Sequence, residues 1–402
     1  MKDIFVVLLM VVIVSPSMCV RVIRSNADTS FNVIDYGAKG DGKTDDSQAF
    51  VKAWEEVCGA TQSSTKLVIP GGKTFLLQPV SFKGPCKPAT INIVIQGTIT
   101  APKRVEAWQW SNVHSKGSWI QFANISGLVV NGGGKFDGQG AAWWQSNLGV
   151  HNKPRALQFD GCKNLRLSTL THIDSPKNHI SIDGCHNAII SNLTIVAPED
   201  SPNTDGFDIS SSTNILINHS TIQTGDDCVA INSGSSFINI TGVFCGPGHG
   251  ISVGSLGENG AFASVEEIYV RNCTFNGSTN GARIKTWKGG SGYARKITFE
   301  DIILVGAKNP VIIDQQYSDL YIGEKSGAEA VKVSDVTYRN VKGTTIGKDA
   351  VKLICDPIVG CTDIVLDEIY ITSEDDRPVQ VLCTNAHGTC YSCNPIVSCL
   401  SH

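Results

Sequence analysis

Short segments with apolar residues at alternating positions recur along this chain of 402 residues. They begin near Leu165, Ala188, Ile215, Ile238, Ile268, Ile297, Val336 and Ile364. Their spacing of roughly 23 to 30 residues, with one longer gap, is typical of the coils of β-solenoids. Asn, Asp and Gly at the corners and β-branched residues within the segments favour short strands joined by tight turns.

Helical periodicity is almost absent, and the stretch from Thr44 to Cys58 is the exception. Thr44 or Asp45 can cap it, and its apolar residues fall on one face at Phe50, Val51, Trp54 and Val57. The terminal coil of a solenoid needs a cover for its core and its strand edges. We therefore expect this helix to close the open end of the fold.

The pattern predicts an all-β protein, a right-handed parallel β-helix with a short N-terminal capping helix. An all-β sandwich is the alternative, because 40 Gly residues and many turn signals fit either architecture. No Pro/Ser-rich linker or charge block marks a joint, so residues 28–402 are expected to form a single β-helix catalytic domain.

The first residues predict an export signal. After Lys2 the chain is apolar from Ile4 to Val14 and then becomes small and polar, so residues 1–19 are expected to be a signal peptide, too short in its apolar core to span a bilayer. Retention of this segment as an anchor is the alternative. We expect a secreted protein of the extracellular space, without a membrane partner.

Charge limits the possible partners. The formal net charge of −4 and the pI near 6.1 argue against nucleic acid or an anionic membrane. A polyanionic substrate must therefore be held by a local cluster of cations, because the field of the whole molecule does not attract it.

Cysteine usage suits an oxidising compartment. Removal of Cys19 leaves 13 of the 14 cysteines, so at least one stays unpaired within the chain. The suggested pairs are Cys58 with Cys86, Cys228 with Cys245, Cys355 with Cys361, and two bridges among Cys383, Cys390, Cys393 and Cys399, which leaves Cys162, Cys185 and Cys273. Sequons that indicate a glycoprotein lie at Asn124, Asn192, Asn218, Asn239, Asn272 and Asn276.

Two strings on consecutive coils carry three carboxylates, NTD at 203–205 and GDD at 225–227. Asp205 and Asp227 are 22 positions apart, so strands about 4.8 Å apart would place them side by side. Asp226 joins them only if the backbone bends, which Gly225 would permit. Like charges this close raise at least one pKa, so one carboxyl can donate a proton while a neighbour stays ionised. A lone Asp is more often a turn residue, but three on consecutive coils favour catalysis.

An imidazole and two cations follow on the next coils. His249 lies between two glycines, one coil after the paired aspartates. Arg283 and Lys285 are two residues apart, so on a strand they share a face, and a guanidinium beside an ammonium suits the carboxylate of a uronic acid. A solvated basic face is the alternative. Tyr317 could contact a sugar ring, or only pack.

Four strings resemble the motifs of the polygalacturonases, the pectin-cleaving glycoside hydrolases of family 28. They are SPNTDGFDI at 201–209, TGDDCVAI at 224–231, CGPGHGISVGSLG at 245–257 and ARIKTW at 282–287. The opening FNVIDYGAKGDGKTDD at 31–46 is similar to that of the plant members. The resemblance implies hydrolysis of α-1,4 bonds between galacturonic acid units, with inversion at the anomeric carbon.

The resemblance also implies catalytic roles. Asp226 would be the general acid, Asp205 and Asp227 would activate the attacking water, and His249 would keep the acid correctly protonated. In an inverting enzyme the acid and base carboxyl groups stand about 6.5–9.5 Å apart, against about 5–5.5 Å in a retaining one.

Substrate contacts follow from the same resemblance. Arg283 with Lys285 would bind the substrate carboxylate, while Asn203 and Tyr317 match positions that line the family's cleft. We expect a monomer that acts on pectin without a cofactor or metal, with endo action slightly favoured over exo action.

Three other functions stay open. A Ca²⁺-dependent pectate lyase uses the same fold, and Asp205, Asp226 and Asp227 could ligate a hard cation, although a lyase leaves His249 unexplained. A rhamnogalacturonan hydrolase is nearer in mechanism, but the GHG and RIK strings argue against it. A secreted protein that binds pectin without cutting it is the third.

Overall fold

A computed structural model describes residues 29–110, 117–317 and 329–400. These residues contain 32 strands, two α-helices and four 3-10 helices. The strands are β1 Thr29–Asn32, β2 Asp41–Asp45, β3 Ser64–Ile69, β4 Thr74–Leu76, β5 Val80–Lys83, β6 Thr90–Ile95, β7 Thr98–Thr100, β8 Ser118–Ala123, β9 Leu128–Asn131, β10 Lys135–Asp137, β11 Arg155–Asp160, β12 Arg166–Ser168, β13 Thr171–Ile173, β14 Ile180–Asp183, β15 His186–Ser191, β16 Thr194–Val196, β17 Phe207–Ser210, β18 Thr213–Asn218, β19 Thr221–Gln223, β20 Val229–Ile231, β21 Ser235–Thr241, β22 Phe244–Cys245, β23 Ile251–Leu256, β24 Phe262–Asn276, β25 Asn280–Trp287, β26 Ser291–Val305, β27 Asn309–Tyr317, β28 Lys332–Thr345, β29 Asp349–Ile354, β30 Cys361–Ser373, β31 Gln380–Thr384 and β32 Ala386–Asn394. The helices are α1 Ser47–Gly59, α2 Ala141–Trp144 and the 3-10 turns Val33–Tyr36, Val105–Ala107, Val150–Asn152 and Glu258–Gly260.

The strands form two parallel sheets that wind around one core. One sheet has eleven strands, β5, β8, β11, β14, β17, β20, β23, β25, β27, β29 and β31, and the other has 21. The predicted repeat appears as one row of paired residues, which runs Ala188, Ile215, Ile238, Ile268, Ile297, Val336, Ile364. The right-handed parallel β-helix is confirmed, and the sandwich, whose sheets are antiparallel, is wrong.

Alternation within each short strand separates core from surface. In β17, Phe207 and Ile209 are fully buried, whereas Asp208 and Ser210 point outward and are partly exposed. The same inward positions on neighbouring coils stack on one another, as the rings of Phe122 and Phe159 do at 5.5 Å. The outward positions of the eleven-stranded sheet thus form continuous rows along the fold axis.

The capping helix begins later than the sequence predicts. It runs over α1, and Asp46 occupies the N-cap position rather than Thr44 or Asp45. Thr44 belongs to β2, and Asp45 accepts the Ser47 amide at 3.0 Å from just outside the helix. The carboxylate of Asp46 turns instead to the amides at 39 and 40. The predicted apolar face does cover the end of the core, and its Trp54 donates to a carbonyl of β5 at 3.2 Å.

Five disulfides are present in the described residues. The pairs Cys58–Cys86, Cys228–Cys245 and Cys355–Cys361 match the prediction. The last four cysteines pair as Cys383–Cys399 and Cys390–Cys393. Cys162, Cys185 and Cys273 are free and buried, as expected.

The predicted signal peptide, residues 1–19, lies outside the described residues. Among the described residues, no helix combines the length and the apolar character that a membrane crossing requires.

A buried histidine makes the fold sensitive to acid. His172 on β13 is 1% exposed, stacks on Phe136 at 4.7 Å and has no hydrogen-bond partner on either ring nitrogen among the described residues. Burial lowers the pKa of His172 to about 3, whereas an unfolded His titrates near 6.5. Because the unfolded state binds the extra proton, the stabilising effect of the neutral ring is present above about pH 6.5 and is lost as pH falls towards 3.

We expect His172→Leu to remove this dependence. Between pH 7 and pH 4 the wild type should lose about 3 kcal/mol more free energy of unfolding than the variant, measured by urea denaturation at both pH values. His387→Leu is the control, because His387 is exposed on β32. Equal losses in wild type and His172→Leu would contradict the assignment.

Candidate active site

The predicted catalytic residues lie together at the edge where strands of the eleven-stranded sheet begin. Asp205 precedes β17, Asp226 and Asp227 precede β20, and His249 precedes β23. These three strands are neighbours in the sheet. The backbone joins the corners too, because the amide of His249 donates to the carbonyl of Asp226 at 2.8 Å.

The remaining predicted residues flank this group. Arg283 and Lys285 both point outward from β25, Tyr317 ends β27, and Asn203 lies in the corner before β17. Asn203 has a left-handed backbone with φ of 57°. The structure therefore brings all eight predicted site residues to one outer wall.

Two glycines shape the corners by allowing close approach. A β-carbon on Gly225 would lie 2.1 Å from the carbonyl oxygen of Ser201. One on Gly248, where φ is +126°, would lie 2.6 Å from the carbonyl oxygen of Asp226. The backbone bends at Gly225 and Asp226, as the sequence suggested, and the missing β-carbon of Gly225 also lets two corners touch without a left-handed backbone.

Asp227 is the centre of a buried ion cluster. It is 1% exposed, and its carboxylate accepts hydrogen bonds from Ser252 Oγ at 2.9 Å, from Lys285 Nζ at 2.9 Å and from Arg283 Nη2. Ser252 also accepts from Arg283 Nε at 2.8 Å. Burial alone would raise the pKa of Asp227, but the charges of Arg283 and Lys285 lower it to about 2. Asp227 is therefore a fixed negative charge at any mildly acidic pH.

The two cations are less available to a substrate than the sequence suggests. Lys285 is 8% exposed; burial by itself would lower its pKa, but the charge and hydrogen bond of Asp227 together with Tyr317 leave that pKa raised. Its ammonium also lies 5.3 Å from the ring centre of Tyr317, which packs edge-on against Trp287 at 5.2 Å. Arg283 keeps donors that neither Asp227 nor Ser252 uses, because a guanidinium has five.

Asp226 faces His249. One oxygen of Asp226 lies 2.8 Å from Nδ1 of His249 and accepts the Asp227 amide at 2.8 Å. The other accepts from Asn203 Nδ2 at 3.4 Å. The side chains of Asp226 and His249 are 18% and 37% exposed. Asp226 is thus the site carboxyl that contacts a partly exposed imidazole.

Asp205 carries the raised pKa that the sequence predicts for the acidic group. Burial raises it well above the usual range, and the charges of Asp226, Asp208 and Asp227 add to the effect. Asp208 on β17 has its pKa raised to about 6, again chiefly by burial. Because Asp227 stays ionised, the carboxyls around Asp205 retain a proton at mildly acidic pH.

Asp226 and Asp227 approach each other closely at single oxygens. One oxygen of each lies within 4.8 Å of the other and of a ring nitrogen of His249. The 6.5–9.5 Å expected for inversion is a separation between whole carboxyl groups, so this distance between single oxygens does not exclude inversion.

The same three residues are a poor cation site. Asp226, Asp227 and His249 could offer one ligand atom each. Both oxygens of Asp227 are already engaged by Lys285 and Arg283, whose charges repel a metal ion. Calcium also prefers six to eight oxygens over an imidazole nitrogen. The donor set therefore does not favour a Ca²⁺-dependent lyase.

Three residues of the site were not singled out from the sequence. Ser252 bridges Asp227 and Arg283, Asp208 lies on the outer face of β17, and Lys177 lies beside it. Ser252 and Asp208 fall inside the strings GHGISVGSLG and SPNTDGFDI, so the strings contained the signal. The sequence pattern does not mark Lys177, because this residue lies three positions before its strand and so falls outside the alternating apolar pattern.

Comparison with known proteins identifies the family. The model of glycosyl hydrolases family 28 matches residues 58–393. A probable polygalacturonase of Arabidopsis thaliana is 47% identical over 92% of this chain and 81% of its own length. A polygalacturonase of Persea americana is 41% identical over 90% of this chain and 78% of its own length.

Solved structures agree with the fold. The endo-xylogalacturonan hydrolase from Aspergillus tubingensis has a TM-score of 0.76 and 27% identity, covering 91% of this chain and 99% of that one. The exopolygalacturonase from Thermotoga maritima has a TM-score of 0.71 and 24% identity, covering 86% and 89%. The chain belongs to glycosyl hydrolases family 28, and the resemblance carried by its four strings is confirmed.

Proposed function

We propose that this protein hydrolyses the α-1,4 bonds of polygalacturonic acid in pectin. The observation that carries the proposal is a group of neighbouring carboxyls with opposed pKa shifts, because the pKa of Asp205 is raised and that of Asp227 is lowered. Asp226 contacts His249, while Asp227 is fixed by Arg283 and Lys285. Relatives at 47% and 41% identity are named polygalacturonases, which supports the substrate.

In this mechanism Asp226 is the general acid. It protonates the oxygen of the scissile bond as the bond to the anomeric carbon breaks, and the departing sugar leaves as an alcohol. Asp205 and Asp227 activate the attacking water, and the ionised carboxylate of Asp227 takes up its proton. His249 holds Asp226 in its donating orientation through Nδ1 and limits loss of the acid proton.

Arg283 and Lys285 have two functions in the proposal. They keep Asp227 ionised, and the unused donors of Arg283 bind the carboxylate of the sugar next to the scissile bond. Asn203 and Tyr317 line the cleft on either side. We also propose inversion at the anomeric carbon, which rests on the resemblance to the family.

Incubation with de-esterified homogalacturonan tests the function. We expect new reducing ends, no ultraviolet-absorbing unsaturated products, and no effect of a chelator. Unsaturated products and loss of activity in chelator would show a lyase, and binding without reducing ends would show a pectin-binding protein. Faster hydrolysis of rhamnogalacturonan or xylogalacturonan than of homogalacturonan would show that the enzyme acts on a different pectic polymer.

The product profile decides between endo and exo action. We propose endo action, so early products should be oligomers of mixed length. Monomer as the sole early product would show an exo enzyme. Among similar solved structures both kinds occur, so fold alone does not decide.

We propose that the protein acts outside the cell, as a secreted monomer of the cell wall with one catalytic domain. Five disulfides and the plant relatives support this location. Glycosylation at the six sequons belongs to the same proposal, and a mass shift on deglycosylation of the secreted protein tests it.

A further inference from the structure

Two cations lie beside the acidic residues on the earlier coils. Arg155 begins β11, and Lys177 lies three residues before β14. The amide of His179 donates to the carbonyl of Asp205 at 2.8 Å, so Lys177 lies one coil before the corner of Asp205. Arg155 lies one further coil away, because β11 pairs with β14. At about 4.8 Å per coil, both are within reach of a sugar chain that crosses the acidic group.

Among the described residues, neither cation is directly paired with a carboxylate. Both side chains are partly buried, and within residues 29–110, 117–317 and 329–400 neither forms an ion pair or a side-chain hydrogen bond. Arg283 and Lys285, by contrast, are both paired with Asp227. A cation partly removed from water without a counter-ion is costly, and a bound anion relieves that cost.

Lys177 is electrostatically coupled to the catalytic carboxylates. Burial lowers its pKa and Arg155 adds to the effect, while the charges of Asp208, Asp205 and Asp226 oppose it. The ammonium therefore lies close to the acidic group without pairing to any of its members. A substrate bound across Asp226 would pass beside Lys177.

The two basic pairs lie on either side of the acidic residues. Across the sheet, one outward row runs Asp208, Ala230, Ser252, Arg283. Ala230 and Ser252 are buried, and they separate Asp208 from Arg283 by three strand steps, or about 14 Å. Cations thus stand on both sides of the acidic residues, along the direction in which a linear polymer would run.

We propose that Arg155 and Lys177 bind the carboxylate of a second galacturonate unit, on the opposite side of the scissile bond from the unit held by Arg283. The inference rests on the proposed function, because homogalacturonan carries a carboxylate on every unit. The guanidinium supplies paired donors and the ammonium a point charge. The contact is made before and during the reaction alike, so it lowers KM and leaves kcat nearly unchanged.

Lys177→Gln and Arg155→Gln test the proposal on de-esterified homogalacturonan. Each should raise KM about 10- to 100-fold with kcat nearly unchanged, as expected for loss of a charge-assisted hydrogen bond. Lys296→Gln is the matched control, because Lys296 lies on the other sheet, paired with Glu267 at 2.7 Å, and its loss should leave both constants unchanged. An unchanged KM in both cleft variants would overturn the proposal.

A second variant separates substrate binding from charge balance within the protein. If Lys177 only balances Asp208, then Lys177→Gln combined with Asp208→Asn should restore the wild-type KM. The proposal predicts that KM stays high in the double variant, and restoration would overturn it. A wild type that releases no reducing ends would instead contradict the proposed function, so the two failures are distinguishable.

Discussion

Replacement of Asp226 by Asn is expected to lower kcat on polygalacturonate about 10²- to 10⁴-fold while the affinity for substrate changes little. The amide keeps the shape of the side chain but cannot donate the proton that the leaving sugar needs in the transition state. Steady-state kinetics gives kcat, and calorimetric titration with oligogalacturonates gives the affinity. Asp367→Asn, which lies on β30 and pairs with Arg339 at 3.1 Å, is the control that should retain full activity.

A substrate with a leaving group that needs no proton distinguishes the acid from the base. On an aryl-capped oligogalacturonide, Asp226→Asn should recover most of the wild-type rate, whereas Asp205→Asn should remain impaired. If only Asp205→Asn recovers, then Asp205 is the general acid and Asp226 acts on the water. The raised pKa of Asp205, caused by burial and by its neighbours, would fit that alternative.

Replacement of Asp227 by Asn is expected to be the most destabilising change in the site. It leaves Arg283 and Lys285 buried without their counter-ion, and loss of one member of a buried ion pair costs about 3–5 kcal/mol of unfolding free energy. Hydrolysis should fall as well, because the proposed mechanism uses the same carboxylate to activate the attacking water. Urea denaturation at pH 6 measures the stability. Glu266→Gln, which breaks an exposed pair with Arg295, should change the stability little.

Two further measurements test whether the unpaired cations cause the loss of stability in Asp227→Asn. Adding Lys285→Met to Asp227→Asn should recover part of the lost stability, because one unpaired cation is removed. The pKa of Asp227, lowered to about 2, means that its ionised form stabilises the fold above about pH 4 and that this contribution is lost as pH falls towards 2. Asp227→Asn should not show this loss of stability between pH 4 and pH 2. If Asp227→Asn lowers the free energy of unfolding at pH 6 no more than Glu266→Gln does, the account is contradicted.

The coil repeat was predictable because period-two alternation fixes which residues face the core. Ile215 pairs with Ala188 one coil earlier and with Ile238 one coil later, as their spacing in the sequence predicts. The position of the acidic group on consecutive coils followed from the same spacing. The start of α1 did not, because Asp46 is drawn away from capping by the amides at 39 and 40.

The use of the two cations could not be read from the sequence. Spacing predicts that Arg283 and Lys285 share an outward face, and they do. It does not predict that both reach back across two coils to Asp227, because the reach of a long side chain depends on the curvature of the wall and on small neighbours such as Ser252. The sequence does not pair Arg155 with Lys177 either, because their proximity depends on how neighbouring coils stack.

The stereochemistry of the first product tests the account most directly. Proton NMR of a fresh digest of polygalacturonate should show the new reducing ends first as the β-anomer, before mutarotation, because water attacks from the face opposite the departing α-linked sugar. Early appearance of the α-anomer would show retention. That result would contradict the roles proposed for the acidic residues.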